Sequence, residues 1–168
     1  MNIFVVSRDW ETCAQALDDK RLNKMILETT QIICTVLNLR AGEKVTPYRS
    51  CHERHPITLW AATDPYHLRW LFQLGIHYGN EIIHRKGRKH SCHLVLEGLT
   101  FNWPELAMIP KRLEERQFYN GAKNKSLGLD FTHLPIRLAY RTYLATRWPN
   151  DKRKPIWTKR GQPSWYPG

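Results

Sequence analysis

Residues 22–39, LNKMILETTQIICTVLNL, decide the fold. Leu22, Met25, Ile26, Thr29, Ile32, Ile33 and Val36 recur three and four apart, which gathers them on one face of a helix rising about 1.5 Å per residue. A face of that kind packs inward, so the helix is a core element. The opposite side carries Lys20, Lys24, Glu28, Gln31 and Thr35, with Leu27 at its edge. Just upstream, LDDKRLNKMILET (residues 17–29) crowds Asp18, Asp19, Lys20, Arg21, Lys24 and Glu28 into the helix start. Two readings compete there. As a solvated pair, Lys24 and Glu28 contribute only about 0.2–0.5 kcal/mol; as one wall of a site, the same charges carry chemistry.

Working outward, NIFVV is a short extended or tucked segment, and Ser7 or Asp9 can cap a helix starting near Trp10. Residues 40–56, RAGEKVTPYRSCHERHP, have no period and read as a basic, His-bearing loop. TDPYHLRWLFQLGIHYGNEIIHRKG is framed as a helix by Thr63 or Asp64 as cap, Pro65 in the first turn and Gly87 at the stop. Its exit, HRKGRKHSCH, holds four cations and no acid. A shorter helix capped by Ser91 spans 91–99. Residues 100–131, with Pro104, Pro110, Gly121 and Gly128, read as irregular apart from a turn around KRLEERQF. The last helix runs from about Leu134 to Arg147, with Pro135 in its first turn and Pro149 ending it. The tail NDKRKPIWTKRGQPSWYPG is too aromatic for a disordered linker and too rich in Pro and Gly for a helix, so it should wrap on the body. With no repeat or internal boundary, the expectation is an all-α fold: one compact helical domain over residues 1–168, a long irregular segment and a Pro/Trp-rich C-terminal tail.

The 168 residues suffice for a substantial core. Lys and Arg number 26 against 15 Asp and Glu, a formal charge of +11 that points to a polyanion, with DNA the expected partner. No apolar run approaches the roughly 18 residues of a membrane span, and MNIFVVSRDWE lacks the apolar length of a signal peptide, so no membrane partner and a cytoplasmic location are expected. A monomer is the working state. Cys13, Cys34, Cys51 and Cys92 lack a disulfide framework and read as reduced thiols, Cys13 and Cys34 on helix faces.

Cys51, His52 and His55 in one loop, and His90, Cys92 and His93 in another, raise the question of a metal. Neither CHERH nor HSCH has structural-zinc spacing, so no metal and no cofactor is assigned, and His52 and His55 are read as loop donors to backbone or phosphate. No GxxxxGK[ST], GxGxxG or GxSxG pattern is present, which removes the usual signals for nucleotide-driven, dinucleotide and serine-hydrolase chemistry. PIWTKRGQPSWY interleaves Trp157, Lys159, Arg160, Trp165 and Tyr166, the mixture that stacks on bases while neutralising phosphate. The competing reading is that Trp157, Trp165 and Tyr166 anchor the tail in the core, which explains Trp157 at least as well. Arg137 and Arg141 share one face of the last helix.

The pieces MNIFVVS, KRLNKM, the helix from Tyr66 to Lys86 and QPSWY together resemble the phage pyrimidine-dimer DNA glycosylases, the endonuclease V-like enzymes. DK..NKMILE, HPITLW, YHLRWL and W.KR..P.WY resemble small phage proteins grouped with that family. The resemblance implies a helical enzyme that flips a nucleotide, cleaves a glycosidic bond in damaged DNA and, through a Schiff base to its terminal amine, nicks the strand. An α-amino group, with pKa about 7.7–8.0, supplies far more neutral amine at pH 7 than a lysine near 10.4. Asn2 stands where the family has a small threonine exposed by methionine removal, a change that keeps the amine on Met1. The family's essential glutamate falls on Arg21, leaving Asp19 and Glu28 as the nearest acids. The implied roles are therefore Met1 or Lys20 for the amine and Asp19 or Glu28 for the sugar. Lys20, Arg21, Lys24, Arg137 and Arg141 would hold phosphate, and Trp165 and Tyr166 the DNA side. The expected activity is a DNA glycosylase, with AP-lyase activity, on a damaged or modified pyrimidine; the alternatives are a non-enzymatic DNA-binding protein, or a related glycosidic-bond enzyme on nucleotides.

Overall fold

A long helix and a second one laid across it organise the chain. In the computed structural model, which describes residues 1–110 and 113–167, α2 (Asp19–Ala41) and α4 (Pro65–Lys86) form the most extensive helix pair. Every residue of the apolar stripe expected in α2, from Leu22 to Val36, is buried. The approach of the two helices needs a small residue on α4: a Cβ at Gly75 would lie 3.0 Å from Thr29 Cγ2 of α2 and 2.8 Å from Leu96 Cδ1. Leu96 belongs to α5 (Ser91–Leu99), which closes that side.

Local signals set the helix ends. Asp9 accepts from the Thr12 amide at 2.7 Å and starts α1 (Trp10–Ala16). Asp18 caps α2, which begins three residues before its apolar period and stops at Gly42 in the left-handed region (φ +74°). Asp64 accepts from the Tyr66 amide at 2.7 Å to start α4, and Gly87 (φ +68°) ends it, as its frame implied. Two caps differ from expectation. α5 is capped by His90, whose Nδ1 accepts from the Cys92 amide at 3.1 Å, so Ser91 is the first helical residue. α6 (Ile136–Arg147) takes Pro135 as its cap, one position outside the first turn. A further helix, α3 (Pro56–Thr63), follows the basic loop; its PITLWAAT sequence is too short for a period to declare itself.

Residues 100–131 are irregular with 3₁₀ turns, as their Pro and Gly content implied, but they also hold a small antiparallel ladder. There β1 (Lys123–Asn124) pairs with β2 (Leu129–Asp130), Lys123 opposite Asp130 and Asn124 opposite Leu129. Gly128 supplies the left-handed turn (φ +65°). Of the KRLEERQF turn, Glu115–Gln117 form a 3₁₀ turn, while Lys111 and Arg112 lie outside the described residues.

Both chain ends are fastened to the helices. Ile3, Phe4, Val5 and Val6 are buried, with Phe4 edge-on to Tyr140 and tilted against Tyr143 of α6. Phe4 has φ +38°, unusual for a non-glycine residue, and the Val6 amide bonds its carbonyl at 2.9 Å, so the chain turns there. The tail wraps as expected. The Asp19 amide donates to Ile156 O at 2.8 Å, Trp157 Nε1 to Ala16 O at 3.0 Å, and Trp148 stacks on Trp165 and meets Tyr166 edge-on.

Candidate active site

Glu28 stands on the polar side of α2, yet the residue is 9% exposed. The chain's own beginning covers it. The α-amine of Met1 lies 3.9 Å from Glu28 Oε2, the Asn2 amide donates to that same oxygen at 3.2 Å, and Lys24 Nζ sits 3.3 Å from Oε1. The i, i+4 pair is asymmetric: Lys24 is 68% exposed and Glu28 12% by side chain, so the cation faces outward and the acid inward. Asn2 fixes the approach, because Oδ1 accepts from the Ile3 amide at 2.9 Å while Nδ2 donates to Gly121 O at 3.2 Å.

These groups open into a cleft of about 360 Å³. Lys20, Arg21, Lys24 and Met25 form its α2 wall; Lys123 and Asn124 come from β1, Tyr143 and Arg147 from α6, and Asp151 from beyond it. Arg21 is committed within the wall. Its Nη1 donates to Asp18 at 2.9 Å, its Nη2 to Asp151 at 2.6 Å, and its guanidinium lies over the Trp148 ring. Asp151 also accepts from Arg147 at 3.1 Å; burial raises its pKa, but the Arg21 and Arg147 guanidiniums bring it below the ordinary 3.8. Lys20, Lys24 and Lys123 are exposed at the rim.

Asp19 has a different neighbourhood. It accepts from Arg85 Nη1 at 2.8 Å, Thr158 Oγ1 at 2.6 Å and the Thr158 amide at 3.2 Å, and it is absent from the cleft lining. Desolvation raises its pKa, but the Thr158 and Arg85 hydrogen bonds win and lower it. The two acids expected to share one role are thus separated: Glu28 meets the terminal amine, and Asp19 ties the tail to α4. Arg85, with no exposed side-chain surface, also donates to Glu81, Leu17 O and Gln15 O, which makes this a buried polar junction.

The expected nucleic-acid contacts are likewise spread out. Arg137 pairs with Glu115, and Arg141 Nε donates to Val6 O at 2.9 Å, so the two arginines of one helical face hold chain segments. Arg160 forms a two-point pair with Glu81, and Lys159 reaches His84 O at 3.3 Å. Tyr166 is buried and Trp165 partly so, both against Trp148, which is fully buried and donates to Asp18 Oδ1 at 2.8 Å. This is core packing of the tail, the competing reading of these aromatics. His52 is exposed with φ +51°, and His55 caps α3 through Nδ1, which accepts from the Ile57 amide at 3.2 Å. Burial, with the nearby terminal amine and His52, lowers the His55 pKa against the opposing pull of Glu28. His55 thus stands within electrostatic reach of the site. No cluster of metal-ligating side chains occurs among the described residues.

Sequence reasoning missed Asn2, Lys123, Asn124, Tyr143, Arg147 and Asp151 as cleft residues. Asn2 was legible only as a bar to methionine removal, and a two-residue strand leaves no alternation to read.

A family model described as pyrimidine dimer DNA glycosylase matches residues 1–95, more than half of the chain. The chain belongs to the pyrimidine dimer DNA glycosylase family. No curated protein and no solved structure matches it. For a pyrimidine dimer DNA glycosylase the substrate is DNA and the bond broken is glycosidic, which fits a net charge of +11 and a cation-rimmed cleft. The matched span holds Met1, Lys20, Lys24 and Glu28, whereas the β1–β2 hairpin, Arg147 and Asp151 lie beyond it. Among the described residues no helix is long and apolar enough to cross a membrane.

Proposed function

We propose that this glycosylase acts on pyrimidine dimers in DNA and nicks the strand afterwards, with the Met1 α-amine as nucleophile and Glu28 as the carboxylate serving the sugar. The observation that supports the reading is a primary amine 3.9 Å from a half-enclosed carboxylate at the floor of one cationic cleft. Lys20, Lys24 and Lys123 hold the phosphates on either side of an extruded nucleotide, where point charges neutralise the backbone without reading sequence. The neutral amine directs its lone pair at C1′ as the glycosidic bond breaks, and the base leaves with the bonding pair and takes up a proton. Glu28 stabilises the positive charge that develops on the sugar and accepts the one proton the amine sheds after attack. Opening of the C1′–O4′ bond, with O4′ leaving with the bonding pair and taking that proton back from Glu28, gives the protonated imine. Loss of a 2′ proton to Glu28 then expels the 3′ phosphate, which is the nick.

The test is a duplex carrying one defined cyclobutane dimer beside its undamaged twin and a panel of modified pyrimidines. Because the cyclobutane ring still holds the cut base to its neighbour, cleavage is read as alkali-labile breaks. Breaks confined to the dimer duplex support the reading. Salt-sensitive binding with no break in any duplex would replace it with the non-enzymatic DNA-binding alternative.

A further inference from the structure

We propose that Asn2 is the positioning residue of the Met1 amine, and that it acts by tying the chain's beginning to Gly121, at the root of the β1–β2 hairpin, and through it to Tyr140 of α6. The inference rests on the reading above, in which that amine is the nucleophile.

A chain end is ordinarily the least fixed part of a fold unless something ties it down. Here the Met1 side chain is 5% exposed and packs against the core. The Asn2 amide donates to Glu28 Oε2 at 3.2 Å, which also orients the carboxylate facing the amine. The Asn2 side chain then acts at both ends. The Ile3 amide donates to its Oδ1 at 2.9 Å, a local bond that sets the side-chain direction, whereas its Nδ2 donates at 3.2 Å to Gly121 O, 119 positions away, and fixes the residue in space.

Gly121 is itself held. Its amide donates at 3.1 Å to the hydroxyl of Tyr140, a fully buried residue of α6, and its carbonyl also accepts from the Lys123 amide at 2.8 Å where β1 begins. A Cβ at Gly121 would lie 3.3 Å from both the Tyr140 hydroxyl oxygen and a Tyr119 ring carbon, so the close approach favours glycine. The Phe131 amide closes onto Ala122 O at 2.9 Å and ties the exit of the hairpin to its entry. Two hydrogen bonds thus carry the position of Asn2 to a core helix. An amine attacking C1′ must approach along one line, and a misplacement of about 1 Å costs about a hundredfold in rate. Loosening this route moves the nucleophile without touching the cations that hold phosphate.

The test is single-turnover borohydride trapping on an abasic-site duplex by the full chain, by Asn2→Leu, by Tyr140→Phe and by the double variant. Leucine, like asparagine, is too large at position 2 for methionine removal, and intact mass verifies that Met1 is present. With enzyme saturating, the rate constant does not depend on how much of a variant folds, and affinity is read separately on a tetrahydrofuran-site duplex. Asn2→Leu is expected to lower the rate constant about ten- to hundredfold, with affinity unchanged. Tyr140→Phe, outside the cleft lining, lowers it about two- to tenfold, the scale of one neutral hydrogen bond. The double variant loses little more than Asn2→Leu, because both changes break one route. A wild-type rate constant in either single variant, a loss that appears in affinity instead, or losses that multiply in the double variant overturn this inference and leave the Met1 reading standing. A wild-type chain that forms no adduct, or forms it on Lys20, overturns both.

Discussion

Replacing Asp19 and Glu28 one at a time separates the two acids that adjoin the same helix start. Asp19→Asn keeps the shape but removes the charge facing Arg85 and replaces one of the oxygens that accept from Arg85 and Thr158 with an amide nitrogen. Charge-assisted bonds contribute about 1.5–3 kcal/mol each. The Asp19 side chain is 24% exposed and the amide keeps one oxygen, so a discounted cost of about 1–2 kcal/mol is expected. For a chain of this length that is a fall in Tm of roughly 2–8 °C. Single-turnover cleavage of a dimer duplex at 25 °C should stay at the wild-type rate, since the residue is outside the cleft lining. Glu28→Gln should do the reverse: a rate loss of about 10²–10⁴, the usual worth of a positioned acid or base, with Tm nearly unchanged. Thermal melts followed by circular dichroism and the same gel assay on both variants decide it. A slow, normally stable Asp19→Asn beside an active Glu28→Gln would refute the assignment of roles.

Other outcomes follow from the same contacts. Asp19, Glu81 and Asp151 each have a pKa brought below its ordinary value by guanidinium or hydroxyl partners that outweigh burial. Such groups stabilise the fold above the unfolded pKa, and the contribution is lost as pH falls through the folded values. Tm should therefore be level above about pH 5 and drop below about pH 4, together with a change in tail tryptophan fluorescence; a Tm that holds or rises on acidification contradicts this. Trp148→Phe keeps the ring stack but leaves Asp18, 2% exposed, without its indole donor, so urea denaturation should show a loss of about 1–3 kcal/mol. Lys123→Ala should lower the slope of log affinity against log salt for abasic-analogue duplex by about 0.9, while Arg137→Ala should leave it unchanged.

The core helices were legible because their signals are local and redundant. In α2 a three-and-four period coincides with burial of Leu22 through Val36, and in α4 Asp64, Pro65 and Gly87 mark both ends. α3 was not legible, being eight residues of mostly apolar sequence with no second turn to reveal a face. The charged start of α2 stood out in the sequence, but its two acids could not be ranked. What separates them is long-range: residues 1 and 2 fold back onto Glu28, and Thr158 and Arg85 arrive at Asp19 from the tail and from α4. The aromatic tail was ambiguous for a similar reason. Interleaved Trp, Tyr and cations describe a DNA groove and a tail clamped around Trp148 equally well, and only the ring contacts distinguish the two.

Borohydride reduction of the chain on a duplex holding one abasic site, followed by peptide mapping of the adduct, bears most directly on the amine–glutamate centre. Run at intervals from about pH 6 to about pH 9, it brackets the range in which an α-amine becomes neutral. The account predicts a covalent adduct on the Met1 nitrogen. Its contradiction is an adduct on Lys20, or none at any pH.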